Sequence, residues 1–113
     1  MLETASRVEA LVQTYVRILK TKGILVDHVF LFGSQSRGTA TPESDIDVII
    51  VSPTFSGMPF WRRWEVLGDA LAEILEPIEV LSYAPEEFEA QSDKPSSFLR
   101  YVLDQKETVR LCL

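Results

Sequence analysis

Three short apolar runs separated by helical patterns constrain the fold of this chain most. The runs are rich in β-branched and aromatic residues, as buried strands are, and they read VDHVFLF, DIDVIIVS and PIEVLSY at residues 26–32, 45–52 and 77–83. Four other segments are predicted to be helical. Their apolar residues recur at helical spacing over residues 4–22, from Phe60 to a stop at Pro77, in a short helix that begins at Pro85, and in a last helix near residues 98–103. The order α-β-α-β-α-β-α predicts an α/β (α+β) fold, a small sheet faced by helices, in one domain over residues 1–113.

The composition narrows the classes of function. The chain carries 11 Lys and Arg against 17 Asp and Glu, a net charge of −6, which argues against a large surface that neutralises nucleic-acid phosphates. The single cysteine, Cys112, excludes a disulfide framework and indicates a reducing compartment. No apolar run approaches the roughly 20 residues of a membrane span, and the first residues do not resemble a signal peptide. We therefore expect a cytoplasmic protein with no membrane partner.

A glycine and a serine follow the first predicted strand directly. Gly33 has no side chain, so backbone can come close to a bound group there. Ser34 can cap the short helical turn SQSR, which Gly38 can end. Free N–H groups at such a turn, with the Ser34 hydroxyl, would suit a phosphate, although a Gly-Ser pair alone is also typical of an ordinary turn.

Two aspartates begin the second predicted strand. Asp45 and Asp47 lie two residues apart, so both carboxylates face one side of the strand while Ile46 and Val48 face the other. Hard oxygen ligands at this spacing favour Mg²⁺ or Mn²⁺ over zinc. Glu79 is the acid of the third run; if that strand lies beside the second, three carboxylates can hold two ions roughly 3.5–4 Å apart. The alternative for Glu79 is an acid on the exposed face of an edge strand.

These motifs together resemble a known family. Gly-Ser-x-x-Arg-Gly, then Ser-Asp-x-Asp, then an apolar-acid-apolar strand are similar to the minimal nucleotidyltransferases of the DNA polymerase β superfamily. The matching residues are Gly33, Ser34, Arg37, Gly38, Ser44, Asp45 and Asp47, with Glu79 at the position of the third acid. The resemblance covers nearly the whole chain and implies the core of that family, a mixed three-stranded sheet flanked by helices.

The resemblance also implies a reaction. A hydroxyl would attack the α-phosphorus of ATP or another nucleoside triphosphate, and pyrophosphate would leave. Asp45 and Asp47 would bind two Mg²⁺ ions, or Mn²⁺, while Glu79 would hold the catalytic ion and help to take the hydroxyl proton. The nucleotide would be bound by Gly33, Ser34, Ser44 and Arg37, the last of which could instead lock the loop by pairing with an acid. Glu79 departs from the usual Asp of the minimal family by one methylene, about 1.5 Å.

Such minimal enzymes are commonly encoded beside helical HEPN toxins and act as their antitoxins. The resemblance therefore implies AMP transfer from ATP to a tyrosine of a HEPN partner. The alternative is a catalytically weak binding module that neutralises a helical partner by forming a complex. Transfer to an aminoglycoside is disfavoured because such enzymes need extra surface for the acceptor, and transfer to nucleic acid is disfavoured by the acidic balance. The sequence leaves the oligomeric state open.

Five further features receive plainer predictions. Trp64 falls on the apolar stripe of its helix with Phe60 and Leu67, so we expect it to be buried. Trp61 lies off that stripe beside Arg62, where an exposed aromatic is typical of protein interfaces. His28 is predicted to be structural, Cys112 to be inert, and Glu86, Glu87 and Glu89 to form a solvated helix start.

Overall fold

The computed structural model describes residues 2–32, 46–76, 78–105 and 108–111, with side chains from Arg7 onwards. Its helices are α1 (Leu2–Thr21), a short 3-10 helix (Pro53–Phe55), α2 (Phe60–Ile74), α3 (Pro85–Ser92) and α4 (Phe98–Asp104). Its strands are β1 (His28–Phe32), β2 (Ile46–Val51), β3 (Ile78–Tyr83) and β4 (Val109–Leu111). The mixed α/β (α+β) fold class is confirmed. The predicted helical turn between Ser34 and Gly38 lies outside the described residues.

The described strands form one mixed sheet in the order β3-β2-β1-β4. β1 pairs antiparallel with β2 and with β4, whereas β3 lies parallel to β2. The three predicted strands are present, but β4 was not predicted. It contains three residues, too few for an alternating pattern to emerge, and it is fixed by pairing with β1 rather than by its own sequence.

Each face of the sheet carries its own apolar cluster. Ile46, Val48 and Ile50 point from β2 towards α1 and α2, where they join the larger cluster. Ile49 and Val51 point the other way and pack with Leu99 and Val102 of α4 and with the aromatic rings around them. β2 is therefore buried on both faces, as a central strand should be. In the part of the chain that the structure describes, no helix is long and apolar enough to cross a membrane.

The buried face of α2 differs from the predicted one. The helix buries Arg63, Val66, Leu67 and Ala70. Phe60 and Trp64 remain 58% and 69% exposed, so the prediction that Trp64 is buried is wrong. A shift of one position turns the buried stripe by about 100° around the helix axis. The observed stripe includes Arg63, a charged residue that a pattern of apolar residues does not predict to be buried. Trp61 is exposed, as predicted.

The helix ends follow local backbone chemistry. Gly23 has φ +88°, the left-handed conformation that glycine adopts readily after a helix, and the predicted stop of α1 at this point is confirmed. α2 ends at Ile74 because Leu75 turns left-handed (φ 56°) and donates its N–H to the Leu71 carbonyl. This end precedes the stop predicted from Pro77.

Tyr15 joins α1 to α2 through a buried hydrogen bond. Its hydroxyl donates to the Leu67 carbonyl at 3.0 Å, and burial raises the pKa of the phenol. We expect Tyr15→Phe to lower the free energy of unfolding by about 1 kcal/mol at neutral pH, because the buried carbonyl loses a donor. The phenol favours folding while it is neutral, so this contribution persists below pH 10 and is lost as the pH rises above it.

Urea unfolding at pH 7 measures the effect. Tyr101→Phe is the matched control, since Tyr101 is 63% exposed and should tolerate the same change within about 0.5 kcal/mol. Equal losses from the two variants would show that the Tyr15 hydroxyl does not stabilise the contact between α1 and α2.

Candidate functional site

Two of the predicted acids lie side by side at one end of the sheet. Asp47 of β2 is the register partner of Glu79 of β3 on one side and of Phe32 of β1 on the other. Directly paired residues of neighbouring strands point to the same face of a sheet. Asp47 is half-buried and Glu79 is exposed. The structure thus brings these two predicted site residues together, while their chemical roles stay predictions.

The flanking apolar residues hold this arrangement in place. Ile46 and Val48 bury their side chains on the opposite face from Asp47. Ile78, which is buried, and Val80, which is partly buried, lie on the opposite face from Glu79. A slip of one residue in either strand would bury a carboxylate and expose two apolar side chains. The position of both acids is therefore a consequence of the strand pattern, which is why it could be predicted.

An open cleft surrounds the two carboxylates. It has a volume of about 550 Å³ and is lined by Phe32, Asp47, Glu79, Val80, Leu81 and Phe98. The rings of Phe32 and Phe98 meet edge to face with 6.2 Å between their centroids, and Phe98 is 57% exposed. An aromatic wall thus stands beside a pair of acids, an arrangement that can hold a ring system with an attached charged group.

Sequence reasoning used Phe98 only as a marker of the last helix. Its position in the cleft depends on how α4 packs on the sheet, and the spacing of apolar residues within a helix does not predict how the helix packs. The sequence did contain one signal that Phe98 could contribute to a site. Phe98 directly follows the N-cap Ser97, and an aromatic residue at the start of a helix is exposed.

The other predicted site residues lie outside the described part of the chain. They are Gly33, Ser34, Arg37, Gly38, Ser44 and Asp45. The described residues that border this segment, Phe32 and Ile46, both lie at the Asp47 end of the sheet. The predicted phosphate-binding turn is therefore connected to the same end of the sheet as the carboxylate pair.

The donor set fits a hard divalent cation. Carboxylate oxygens are the ligands that Mg²⁺ and Mn²⁺ prefer, and two neighbouring negative charges favour a bound cation. Residues 2–32, 46–76, 78–105 and 108–111 contain no cluster of three acidic, histidine or cysteine side chains placed for metal binding. The third predicted ligand, Asp45, is not among those residues, so Asp47 and Glu79 are the described candidates.

An ion pair between a buried arginine of α2 and a partly exposed glutamate of α3 was not revealed by the sequence. The guanidinium of Arg63, 2% exposed, donates from Nη1 to Glu87 Oε1 at 2.7 Å and from Nη2 to Glu87 Oε2 at 2.8 Å. It also donates to the backbone carbonyls of Met58 and Phe55. The bond from Arg63 lowers the pKa of Glu87, and the same bond raises the pKa of Arg63.

Glu87 lies in the first turn of α3, as predicted, and its side chain is 36% exposed, but its carboxylate is paired with Arg63 rather than only solvated. Glu87 caps α3 by accepting from the Ala84 N–H at 2.9 Å and at the same time fixes α3 to α2 through Arg63. Glu86 and Glu89 are exposed, as predicted. A motif of helix-start acids does not distinguish a residue that has a buried partner from one that faces water.

His28 lies away from the carboxylates. It pairs with Val51, at the opposite end of β1 and β2 from Asp47, and its Nδ1 lies 2.7 Å from Arg110 Nη2. This position agrees with the structural role predicted for His28. Cys112 lies outside the described residues.

Comparisons with known proteins bear on the family and the fold of the chain. The model of the nucleotidyltransferase domain family matches residues 12–108 of the chain. The structure is similar to the crystal structure of a protein from Sulfolobus solfataricus that is provisionally assigned as a nucleotidyltransferase. The TM-score is 0.64 at 19% sequence identity, over 96% of this chain and 83% of the other, which shows a common fold. No curated protein sequence is significantly similar to the chain.

Proposed function

The chain belongs to the nucleotidyltransferase domain family, and on that premise we propose that it transfers AMP from ATP to a hydroxyl group of a partner protein. The observation that carries the proposal is the pairing of Asp47 with Glu79 on one face of the sheet in an open cleft. Members of this family use a nucleoside triphosphate and a divalent metal, and the two carboxylates are of the type that such a metal needs.

The reaction breaks one bond at phosphorus and forms another. The acceptor oxygen bonds to the α-phosphorus, the bond from the α-phosphorus to the oxygen that bridges to the β-phosphorus breaks, and pyrophosphate leaves. Bound divalent cations, Mg²⁺ in this proposal, supply charge neutralisation for the phosphates. Asp47 would hold these cations together with Asp45, and Gly33 and Ser34 would bind the β- and γ-phosphates. Glu79, which is exposed, accepts the proton of the attacking hydroxyl and passes it to water.

The openness of the site supports a protein acceptor. Glu79 is exposed, so a side chain of a second protein can reach it from solvent. The overall charge of −6 disfavours a polyanionic acceptor such as RNA. The sequence resemblance supplies the candidate acceptor, a tyrosine of a helical HEPN-type toxin, for which this protein would be the antitoxin.

Mass spectrometry tests the proposal. We expect the purified protein, incubated with the HEPN-type protein encoded beside it, ATP and Mg²⁺, to add one or more adenylate masses to a partner tyrosine. Asp69→Asn, an exposed acid on α2, is the control that should retain transfer. No added mass, or an equal gain with Asp47→Asn, would contradict the proposal.

A second candidate function is supported by the exposed aromatic residues of α2. Phe60, Trp61 and Trp64 are each more than half exposed, which is typical of a surface that binds another protein. The chain would then neutralise its partner by forming a complex, without turnover. Silencing of the partner that is undiminished by Asp47→Asn would favour this function over transfer.

A further inference from the structure

We propose that the edge of β3 is the acceptor groove: an extended segment of the acceptor protein adds to β3 as a further strand and brings its hydroxyl to Asp47 and Glu79. This inference rests on the proposed transfer to a protein. The acceptor groove is defined here as a second cleft, also of about 550 Å³, on the edge of the described sheet. Its lining residues are Phe60, Trp64, Val80, Leu81, Ser82, Tyr83, Glu87 and Gln91.

The acceptor groove is continuous with the carboxylate cleft. Both are lined by Val80 and Leu81, so one leads into the other along β3. From Glu79 to Ser82 the strand advances three residues, about 10 Å. A segment of four or five extended residues therefore spans the distance from the groove to the carboxylates.

The backbone of β3 is oriented to receive a strand. The Ser52 N–H donates to the Tyr83 carbonyl at 2.9 Å, so Tyr83 directs its backbone groups towards β2. Because this direction alternates along a strand, Val80 and Ser82 direct their N–H and C=O groups outwards. In the described sheet β3 is the last strand on this side. An extended peptide can pair with such an edge through main-chain hydrogen bonds.

The two walls of the acceptor groove are fixed to one another. Phe60 and Trp64 of α2 form one wall, and Glu87 and Gln91 of α3 form the other. Arg63 joins them, because its guanidinium lies 4.6 Å from the centroid of the Phe60 ring while it pairs with Glu87. The buried Arg63 therefore holds the two walls at a fixed distance from one another.

The charge of the lining favours a polypeptide. Among the described residues that line the two connected clefts, the charged side chains are all carboxylates: Asp47, Glu79 and Glu87. The described lining of the acceptor groove offers no Lys or Arg side chain that could neutralise the successive phosphates of a nucleic-acid strand. A neutral or basic peptide can pair with the β3 edge, place an apolar side chain against Phe60 and Trp64, and present a hydroxyl opposite Glu79.

Synthetic peptides test the inference directly. The probe is a degenerate set of nine-residue peptides with a central tyrosine, incubated with ATP and Mg²⁺, and transfer is followed by mass. We expect Trp64→Ala to lower kcat/KM for the peptides by about tenfold or more. Tyr101→Ala is the matched control, because Tyr101 is an aromatic residue that is 63% exposed against 69% for Trp64 and lines neither cleft. Its kcat/KM should stay within about twofold of wild type.

Backbone methylation of the peptide tests strand addition without altering the protein. A strand pairs with an edge through alternate residues, so N-methyl groups on one set of alternate residues should abolish transfer, whereas those on the other set should be tolerated. Equal effects of the two sets would overturn strand addition.

The outcomes separate this inference from the proposed function. Peptide transfer that Trp64→Ala and Tyr101→Ala affect equally would overturn the groove and leave the function standing. Peptide binding, measured by calorimetry, that is lost in Trp64→Ala but occurs without transfer would support the groove and contradict the function. Absence of both binding and transfer, or transfer to a single-stranded oligoribonucleotide instead, would overturn the groove.

Discussion

Glu79→Gln is expected to lower kcat for AMP transfer by about a thousandfold. The substitution keeps the shape of the side chain but removes the charge that would bind the cation and the group that would accept the hydroxyl proton, and general base catalysis alone contributes about 10²–10⁴-fold. Asp47→Asn should cost at least as much, since Asp47 lies on β2, an interior strand of the described sheet, directly beside Glu79. Single-turnover transfer to the partner protein, followed by mass, measures both.

The same variant should leave the fold intact. Glu79 is exposed, so Glu79→Gln should change the free energy of unfolding by no more than about 0.5 kcal/mol. Glu89→Gln, an exposed acid of α3, is the matched control and should retain full transfer. A loss of stability in Glu79→Gln as large as the loss of activity would mean that Glu79 serves the fold and not the reaction.

Binding of the cation gives an independent readout. A ligand at a hundred times its dissociation constant stabilises the native state by about 2.7 kcal/mol. We expect Mg²⁺ with ATP to raise the thermal midpoint of the wild type and to do so much less in Glu79→Gln. An equal rise in the two proteins would show that Glu79 does not take part in binding the metal.

The length of the acid is part of the same prediction. Glu79→Asp withdraws the carboxylate by about 1.5 Å, and a misplacement of 1 Å can cost about a hundredfold in rate. We therefore expect Glu79→Asp to be slower than wild type but faster than Glu79→Gln. A faster Glu79→Asp would indicate that the site is built for the shorter acid.

The carboxylate pair was predictable because it depends on strand periodicity. Asp47 and Glu79 each lie between apolar residues, so burial of those neighbours decides which face each acid occupies. The pattern does not tell which strands are neighbours, so the pairing of β2 with β3 was a condition of the prediction and is given by the structure. The class of the fold followed from the same alternation of strand and helix patterns.

The acceptor groove was not predictable because it depends on a contact between distant residues. Helical periodicity placed Trp64 in the core, but the pairing of Arg63 with Glu87, 24 residues away, turns that face outwards. The position of Phe98 over the carboxylate cleft likewise depends on how α4 crosses the sheet. The only sign of this contact in the sequence was Arg63, a charged residue next to the apolar stripe of α2, and the sequence does not show which residue it pairs with.

The ion pair of the buried Arg63 gives the second large effect. Arg63→Met is expected to lower the free energy of unfolding by about 3 kcal/mol, because it leaves the Glu87 carboxylate without its partner and the Met58 and Phe55 carbonyls without their donor. Methionine fills a similar volume, so little of this loss comes from a cavity. Urea unfolding at pH 7 measures it.

Arg62→Met is the matched control for Arg63→Met. Arg62 is the preceding residue of α2, its side chain is half exposed, and it pairs with Glu65 one turn along the helix. Exposed pairs of this kind contribute little, so we expect a change within about 0.5 kcal/mol. Equal losses from the two variants would show that burial adds nothing to the contribution of Arg63.

Acid unfolding and a double variant separate the ion pair from simple packing. Arg63 lowers the pKa of Glu87, so the pair stabilises the fold above the ordinary glutamate value of 4.5 and loses this effect as the pH falls through the lower native pKa. Arg63→Met should therefore weaken the dependence of stability on pH below 4.5. Adding Glu87→Gln should recover about 1 kcal/mol of stability at pH 7, because it removes a carboxylate that has lost its partner. A double variant no more stable than Arg63→Met would mean that the arginine acts through its contacts with the two carbonyls and the Phe60 ring rather than through its charge.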